Sequence, residues 1–226
     1  PQTKTMEFVG TDGKLTLSDN MTLTGILKFS SAGELSGGEL NLNGGELDVD
    51  ESITISSNMR HVADSVINIE SNKSINYTGQ EFNIEGLLLT FNGGGTFLNT
   101  ENLTLNDQQS SVKLNGISEL SKVLISAELT SGKLQIAENS IITTLVHTGS
   151  SRIFIENDKT LTLSNSFEIP NGKTMSLLGS GDERTIKLPD LFKLSGTLKI
   201  SSTGYKISSG ALGISGGLLD VSEDLN

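Results

Sequence analysis

The most constraining feature of the sequence is a short apolar alternation that recurs along the whole chain. Pairs of apolar residues separated by one other residue, such as Leu15 and Leu17, are typical of a strand with one buried face. Equivalent pairs return after about 21 positions, as from Phe82 to Leu103. Self-similarity at a fixed period in this range predicts stacked repeats that bury their apolar positions only against their neighbours.

Three apolar pairs fit into one period, and turn-forming residues such as Gly44-Gly45 and Asn171-Gly172 separate them. The pattern predicts an all-β fold, a β-solenoid built as a three-faced parallel β-helix with about 21 residues per coil. Division of the length of 226 residues by this period gives roughly 11 coils. At the usual strand spacing the rod would be roughly 50 Å long. We expect residues 1–226 to form a single solenoid domain.

Three stretches and both ends depart from a uniform repeat. The alternation blurs over 32–45, 59–66 and 118–144, where we expect loops or bulges that leave the coil, with a longer strand around Ile141 and Leu145. The first and last residues still alternate, whereas solenoid ends normally need a polar lid. We therefore expect an uncapped stack that belongs to a longer protein or filament, or that stacks on a partner.

Composition narrows both the core and the chemistry. Apolar residues make up 35% of the chain but aromatic residues only 4%, so Leu, Ile and Val must fill a narrow core. The absence of cysteine excludes disulfides and thiolate metal sites. A net charge of -11 with dispersed Lys and Arg argues against nucleic-acid binding. No apolar run approaches the ~18 residues that span a bilayer, so membrane insertion is not expected.

Asp48 and Asp50 are the candidate metal ligands. They alternate around Val49, so the two carboxylates are expected to share an outward face and to offer a weak calcium site. The favoured alternative is that these acids solvate a turn and discourage edge pairing. No other cofactor is expected.

The remaining titratable candidates give no catalytic assignment. Asp182, Glu183 and Arg184 are neighbours in an expected irregular loop and could act as acid and base on a sugar acid, but a solvated loop ion pair is favoured. His61 and His147 are 86 positions apart and are expected to be ordinary surface or loop residues.

Only three aromatic side chains, Tyr77, Tyr205 and Phe154, are expected to be available for stacking on a sugar. The sequence therefore does not signal a strong aromatic glycan site.

Two segments, 38–49 and 159–177, resemble the β-helical passenger regions of bacterial surface proteins. The families that they resemble most are the filamentous-haemagglutinin-like adhesins and the autotransporter passengers. The resemblance implies a right-handed helix, export to the cell surface, and a role as an extended stalk or binding rod. It carries over no catalytic residue.

From these observations we expect a non-enzymatic structural or adhesive rod segment of a bacterial extracellular surface protein or fibre. The alternative is a carbohydrate-active β-helix, such as a polysaccharide lyase or a phage tailspike-like protein. Expected partners are a second copy or neighbouring solenoid coils stacked end to end, and a surface glycan or a host or cell receptor. Nucleic acid and membrane are not expected partners.

Overall fold

The protein is an all-β parallel β-solenoid of about ten turns, each of about 21 residues. The computed structural model describes residues 4–10, 12–80, 82–179, 181 and 183–222. The predicted fold class is therefore confirmed, with about one turn fewer than expected. In the described ranges the chain forms no helix, and hence none long and apolar enough to cross a membrane.

The described residues form 27 strands. In chain order they are β1 (Thr5–Phe8), β2 (Gly13–Leu17), β3 (Met21–Leu23), β4 (Ile26–Phe29), β5 (Gly33–Gly37), β6 (Glu39–Asn43), β7 (Glu46–Val49), β8 (Ile53–Ile55), β9 (Asn58–Ala63), β10 (Ser65–Ile69), β11 (Ser74–Tyr77), β12 (Phe82–Ile84), β13 (Leu88–Gly93), β14 (Thr96–Asn99), β15 (Leu103–Leu105), β16 (Ser111–Asn115), β17 (Glu119–Ile125), β18 (Lys133–Ile136), β19 (Ser140–His147), β20 (Ser151–Ile155), β21 (Lys159–Leu163), β22 (Phe167–Ile169), β23 (Thr174–Gly179), β24 (Arg184–Leu194), β25 (Thr197–Ile200), β26 (Tyr205–Ile214) and β27 (Leu218–Val221).

These strands stack into three faces, as the spacing predicts. The first face is one sheet of eleven strands, in the order β1-β4-β7-β10-β13-β16-β18-β20-β23-β25-β27. The second face begins β2-β5-β8-β11-β14, and the third begins β3-β6-β9-β12-β15. The two rows join at β17, which pairs with β14 through Glu119 and Leu120 and with β15 through Val123 to Ile125. The longer strand β24 likewise pairs with both β21 and β22.

The length of a turn varies along the stack. Partner residues on the first face are 20 positions apart from Leu47 to Ile67 and 24 apart from Ile67 to Phe91. They are only 19 apart from Ile136 to Ile155. Because the strands stay in register, the extra residues are absorbed in the corners between faces and do not disturb the core.

The core is a set of aliphatic ladders that run along the rod. Leu27, Leu47 and Ile67 lie at partner positions in successive turns, and all three are fully buried. Alternation places every second side chain of a strand inside, and Leu and β-branched residues pack well on a pleated surface. Each turn therefore buries its apolar positions against the turns on either side, as the repeat predicts.

The expectation of loops in the irregular stretches was largely wrong. Residues 32–45 contain β5 and β6, which pair with strands of the adjacent turns, and 118–144 contains β17, β18 and much of β19. The longer strand expected around Ile141 and Leu145 is confirmed as β19. Within 59–66 a bulge is confirmed, because partners shift between Leu42 and Asn43 and leave Val62 unpaired. Backbone groups of the remaining corner segments still bond to the adjacent turn, as when Ser126 N donates to Leu105 O at 3.1 Å.

Among the described residues, the strands at both ends of the stack pair on one side only. β1, β2 and β3 pair with β4, β5 and β6, and at the other end β27 pairs with β25 alone. Met6 and Val9 are exposed near the first edge, and Leu218 near the last edge is 58% exposed. The described part of the stack thus presents open edges with apolar side chains beside them.

Candidate functional site

Asp48 and Asp50 share an outward face around the buried Val49, and a lysine of the preceding turn lies between their carboxylates. Lys28 Nζ is 2.9 Å from Asp48 Oδ2 and 2.6 Å from Asp50 Oδ2. Hydrogen bonds to Asp50 and Asp48 raise the pKa of Lys28 above its usual range, so the ammonium stays charged. The ammonium therefore occupies the position between the two carboxylates in which a calcium ion would have to sit.

Replacement of Lys28 by methionine is expected to uncover this calcium site. With the ammonium gone, two carboxylates face each other without a counter-charge, and oxygen ligands of this kind are those that calcium prefers. We expect millimolar Ca²⁺ to raise the melting temperature of Lys28→Met measurably more than that of the wild type. The double variant Lys28→Met/Asp48→Asn is the control. If Ca²⁺ raised the melting temperatures of the wild type and of Lys28→Met equally, Lys28 would not be what keeps calcium from the two carboxylates.

Arg184 does not lie in a solvated loop, so that part of the sequence prediction was wrong. It begins β24, is only 1% exposed, and its guanidinium carbon lies 4.8 Å from the centre of the Tyr205 ring. Its Nη2 donates to the carbonyl oxygens of Gly181, at 2.7 Å, and Thr203. Glu183 is exposed, and Asp182 lies outside the described residues. Arg184 is therefore enclosed in the stack and closed to a substrate in solution.

Both histidines were expected at the surface or in loops, and both are buried within strands. His61 is 0% exposed and His147 is 3% exposed, because each occupies an inward position of its strand, in β9 and β19. His147 Nε2 and Ser151 Oγ are 2.5 Å apart, but Ser151 is buried as well. Burial lowers the pKa of His61, and it lowers that of His147 to about 4, so both rings are neutral at pH 7. This histidine–serine pair lies inside the rod, where a substrate has no access.

The aromatic side chains expected at the surface are mainly in the core. Tyr77 and Tyr205 are fully buried, which corrects the sequence prediction. Phe154 is half-buried, and Lys133 Nζ lies 4.9 Å from the centre of its ring. Tyr77 and Tyr205 therefore offer no ring face to a sugar, and Lys133 already lies over the ring of Phe154.

A polar cleft crosses three consecutive turns on the third face. We define the amide cleft by its polar lining residues, Glu39, Asn58, Arg60, Gln80, Asn83 and Glu85, which surround about 390 Å³ above the backbone of Met59. A second depression of about 510 Å³ shares Asn58 and Gln80 and is also lined by Ser56, Thr78, Gly79 and Glu101. The two depressions adjoin at Asn58 and Gln80, near the corner between the second and third faces.

An arginine sits between two glutamates in the amide cleft. Arg60 Nε and Nη2 both donate to Glu85 Oε2, at 3.2 and 2.8 Å, and Glu39 lies close enough to add to the rise in the pKa of Arg60. The hydrogen bond with Glu85 is the main cause of that rise. The three charges belong to neighbouring turns, since Arg60 in β9 pairs with Asn41 in β6 and Asn83 in β12.

A buried tyrosine fixes the floor of the amide cleft. The Tyr77 hydroxyl accepts a hydrogen bond from Met59 N at 3.2 Å and donates to Gln80 O at 2.6 Å. Gln80 N in turn donates to Asn58 Oδ1 at 3.2 Å. Gly79 permits this close approach, because a Cβ there would lie 2.5 Å from Ser57 O and 2.7 Å from the Tyr77 hydroxyl oxygen. The cleft is thus held in place by the core beneath it.

Sequence reasoning missed the amide cleft. Its residues are ordinary polar residues at outward positions, and they come together only through the register of β6, β9 and β12. The one usable signal was the scarcity of arginine, since Arg60 is one of only three in the chain.

Within the described ranges, no group of three or more His, Cys, Asp or Glu side chains is placed to hold a metal ion. Comparison of the chain with protein-family models, with curated proteins and with solved structures finds no match. Function must therefore be argued from the solenoid and its surface.

Proposed function

We propose that the chain is a structural and adhesive rod segment of a bacterial extracellular surface protein or fibre, and that it acts without catalysis. The observation that carries the proposal is the continuous stack of parallel strands around one aliphatic core. Such a stack gives length, and its ladder hydrogen bonds protect the backbone from proteases. A periodic surface supports weak multivalent contacts. The sequence resemblance to filamentous-haemagglutinin-like adhesins and autotransporter passengers, and the acidic cysteine-free composition, agree with a place at the cell surface.

Ion pairs between neighbouring turns support the structural role. They join Lys14 to Glu34 at 3.1 Å, for example, and Lys159 to Glu138 at 2.7 Å. Exposed pairs of this kind add little stability singly. Because each joins one turn to the next, however, they favour a single register along the rod.

The partner that we propose for the ends is a second copy or another solenoid turn. The end strands pair on one side only in the described part of the chain, and an open strand edge is a template for further pairing. The apolar side chains of Met6 and Leu218 beside these edges would be covered in such a stack.

End-to-end assembly can be tested with a charge placed at the last edge. The wild-type chain is expected to form rods that lengthen with concentration in negative-stain images and light scattering. Leu218→Lys is expected to keep single rods, because a lysine at an edge discourages strand pairing. Leu87→Lys, at an exposed position on the side of the stack, is the matched control and should assemble as the wild type does. A wild-type chain that stays monomeric at every concentration tested would contradict self-association and leave only a different solenoid as the end partner.

A carbohydrate-active enzyme is the second candidate function, and the amide cleft is the observation that favours it. Glu39, Arg60 and Glu85 bring acidic and basic groups of neighbouring turns together at the surface. Catalysis would release new reducing ends from a polysaccharide, and Glu39→Gln would abolish that release. A rod that binds without cleaving would release none.

A further inference from the structure

We propose that the amide cleft binds a neutral oligosaccharide. The proposal deepens the adhesive part of the proposed function and rests on it, because only the stacked register holds the lining residues together.

The Arg60 side chain and the backbone at Gln80 are held in place before any ligand arrives. Arg60 is anchored through two N–H groups on one carboxylate oxygen of Glu85. The backbone of Gln80 is tied to the Tyr77 hydroxyl and to Asn58 Oδ1. Burial raises the pKa of Tyr77 to about 12, so this hydroxyl remains a donor throughout the physiological pH range. The floor of the cleft is therefore pre-formed and need not be ordered on binding.

Several polar groups of the cleft remain available to a ligand. In the part of the chain that the structure describes, the side-chain amides of Gln80 and Asn83 have no hydrogen-bond partner, and neither has Asn58 Nδ2. The Glu39 carboxylate makes no hydrogen bond there either. An amide offers a donor and an acceptor side by side, and a carboxylate offers two acceptors. Such paired groups match the adjacent hydroxyls of a sugar ring, each of which both donates and accepts.

Charge selects a neutral sugar over an acidic one. Arg60 contributes one positive charge to the cleft, and Glu39 and Glu85 contribute two negative charges, which leaves one net negative charge. The whole chain is also acidic, at -11. Phosphate, sulfate and uronate groups would be repelled by this field, and the single cation is already engaged by Glu85.

The two adjoining depressions indicate an oligomer. The amide cleft of about 390 Å³ shares Asn58 and Gln80 with the depression of about 510 Å³ beside Ser56 and Thr78. An extended chain of sugar rings can follow this corner of the solenoid, with its hydroxyls meeting polar groups of successive turns. The aromatic rings beneath, Tyr77 and Phe82, are buried and do not present stacking faces.

The direct test is an array of hexasaccharides built from glucose, mannose, galactose, N-acetylglucosamine and galacturonic acid, followed by calorimetry with each one that binds. We expect saturable binding of at least one neutral hexasaccharide and none of the galacturonate. The double variant Gln80→Ala/Asn83→Ala should weaken binding at least about tenfold, because two net hydrogen bonds are lost. Asn171→Ala, in an exposed turn far along the chain, is the matched control and should bind as the wild type does.

A conservative variant separates positioning from contact. Tyr77→Phe keeps the core packing but removes the hydroxyl that holds Gln80, so it should weaken binding while the side-chain amides remain. Circular dichroism and melting of every variant confirm that the solenoid is folded.

The results that would overturn the glycan site differ from those that would overturn the structural role of the rod. Rods seen in negative stain without binding of any neutral hexasaccharide would refute the glycan site and leave the structural role standing. Binding of galacturonate would refute the expected preference for a neutral sugar. Neutral-sugar binding that is unchanged in Gln80→Ala/Asn83→Ala would refute the location of the site in the amide cleft. A wild-type sample that shows no rod-shaped particles at all, single or assembled, would instead contradict the proposed function itself.

Discussion

Phe97→Ala is expected to lower the free energy of unfolding by about 3–5 kcal/mol, the usual loss when a buried aromatic ring is truncated. Phe97 is fully buried where the second face meets the first, with its ring centre 5.9 Å from that of Tyr77 and 5.2 Å from that of Phe91. Truncation leaves a cavity between the rings of Tyr77 and Phe91, and the strands around it cannot close it without leaving register. A lowered urea midpoint, with faster hydrogen exchange concentrated in β11, β14 and β17, is the expected measurement.

Leu98→Ala is the matched control for Phe97→Ala. Leu98 follows Phe97 in β14 and points outward, where it is 37% exposed. Its truncation should change the urea midpoint only slightly. If the urea midpoint fell by a similar amount in the two variants, the inward-facing side chains of the strands would not be the main source of the stability of the rod.

Acidification between pH 6.5 and pH 4 is expected to remove about 3 kcal/mol of stability through His147 alone. Burial lowers the pKa of His147 from 6.5 to about 4 in the folded chain. Glu128 opposes this shift and Lys173 adds to it, but burial dominates. Between the two pKa values the unfolded chain binds a proton that the folded chain does not. The contribution of His147 to stability is therefore constant above about pH 6.5 and falls as the pH approaches 4.

The variant His147→Gln isolates this effect from the other acids and from His61. Glutamine can keep a hydrogen bond to Ser151 but does not titrate. Its unfolding free energy should fall less steeply than that of the wild type between pH 6.5 and pH 4, as measured by urea denaturation at several pH values. Parallel curves for the two proteins would show that His147 is not the source of the loss.

The alternation predicted the strands well because the parity of a position decides whether its side chain points inward. The same parity would have placed His61, His147 and Arg184 inside, since each lies two residues from a buried apolar residue of its own strand. Residue type led to the wrong expectation. In a narrow stack of this kind, geometry overrides the preference of a polar side chain for water wherever neighbouring rings and carbonyl groups can accommodate it.

The amide cleft and the Lys28 contact could not be predicted in the same way. Asp48 and Asp50 were expected to share an outward face, and they do, but the partner between them belongs to the preceding turn. Lateral neighbours depend on the length of each turn, which ranges from 19 residues between Ile136 and Ile155 to 25 residues between Phe167 and Phe192. A shift of one residue in that length changes which side chains meet, and the average period does not contain this information.

The continuous strands β17 and β24 divide the rod into parts that differ in their tolerance of added sequence. In the early turns a short exposed corner, such as 18–20 between β2 and β3, separates the second face from the third, and extra residues there interrupt no ladder. Where one strand runs through that corner, an insertion would break hydrogen bonds to the turns on both sides. A foreign peptide for display on the rod is therefore best grafted near its first turns, and the later corner is best left intact.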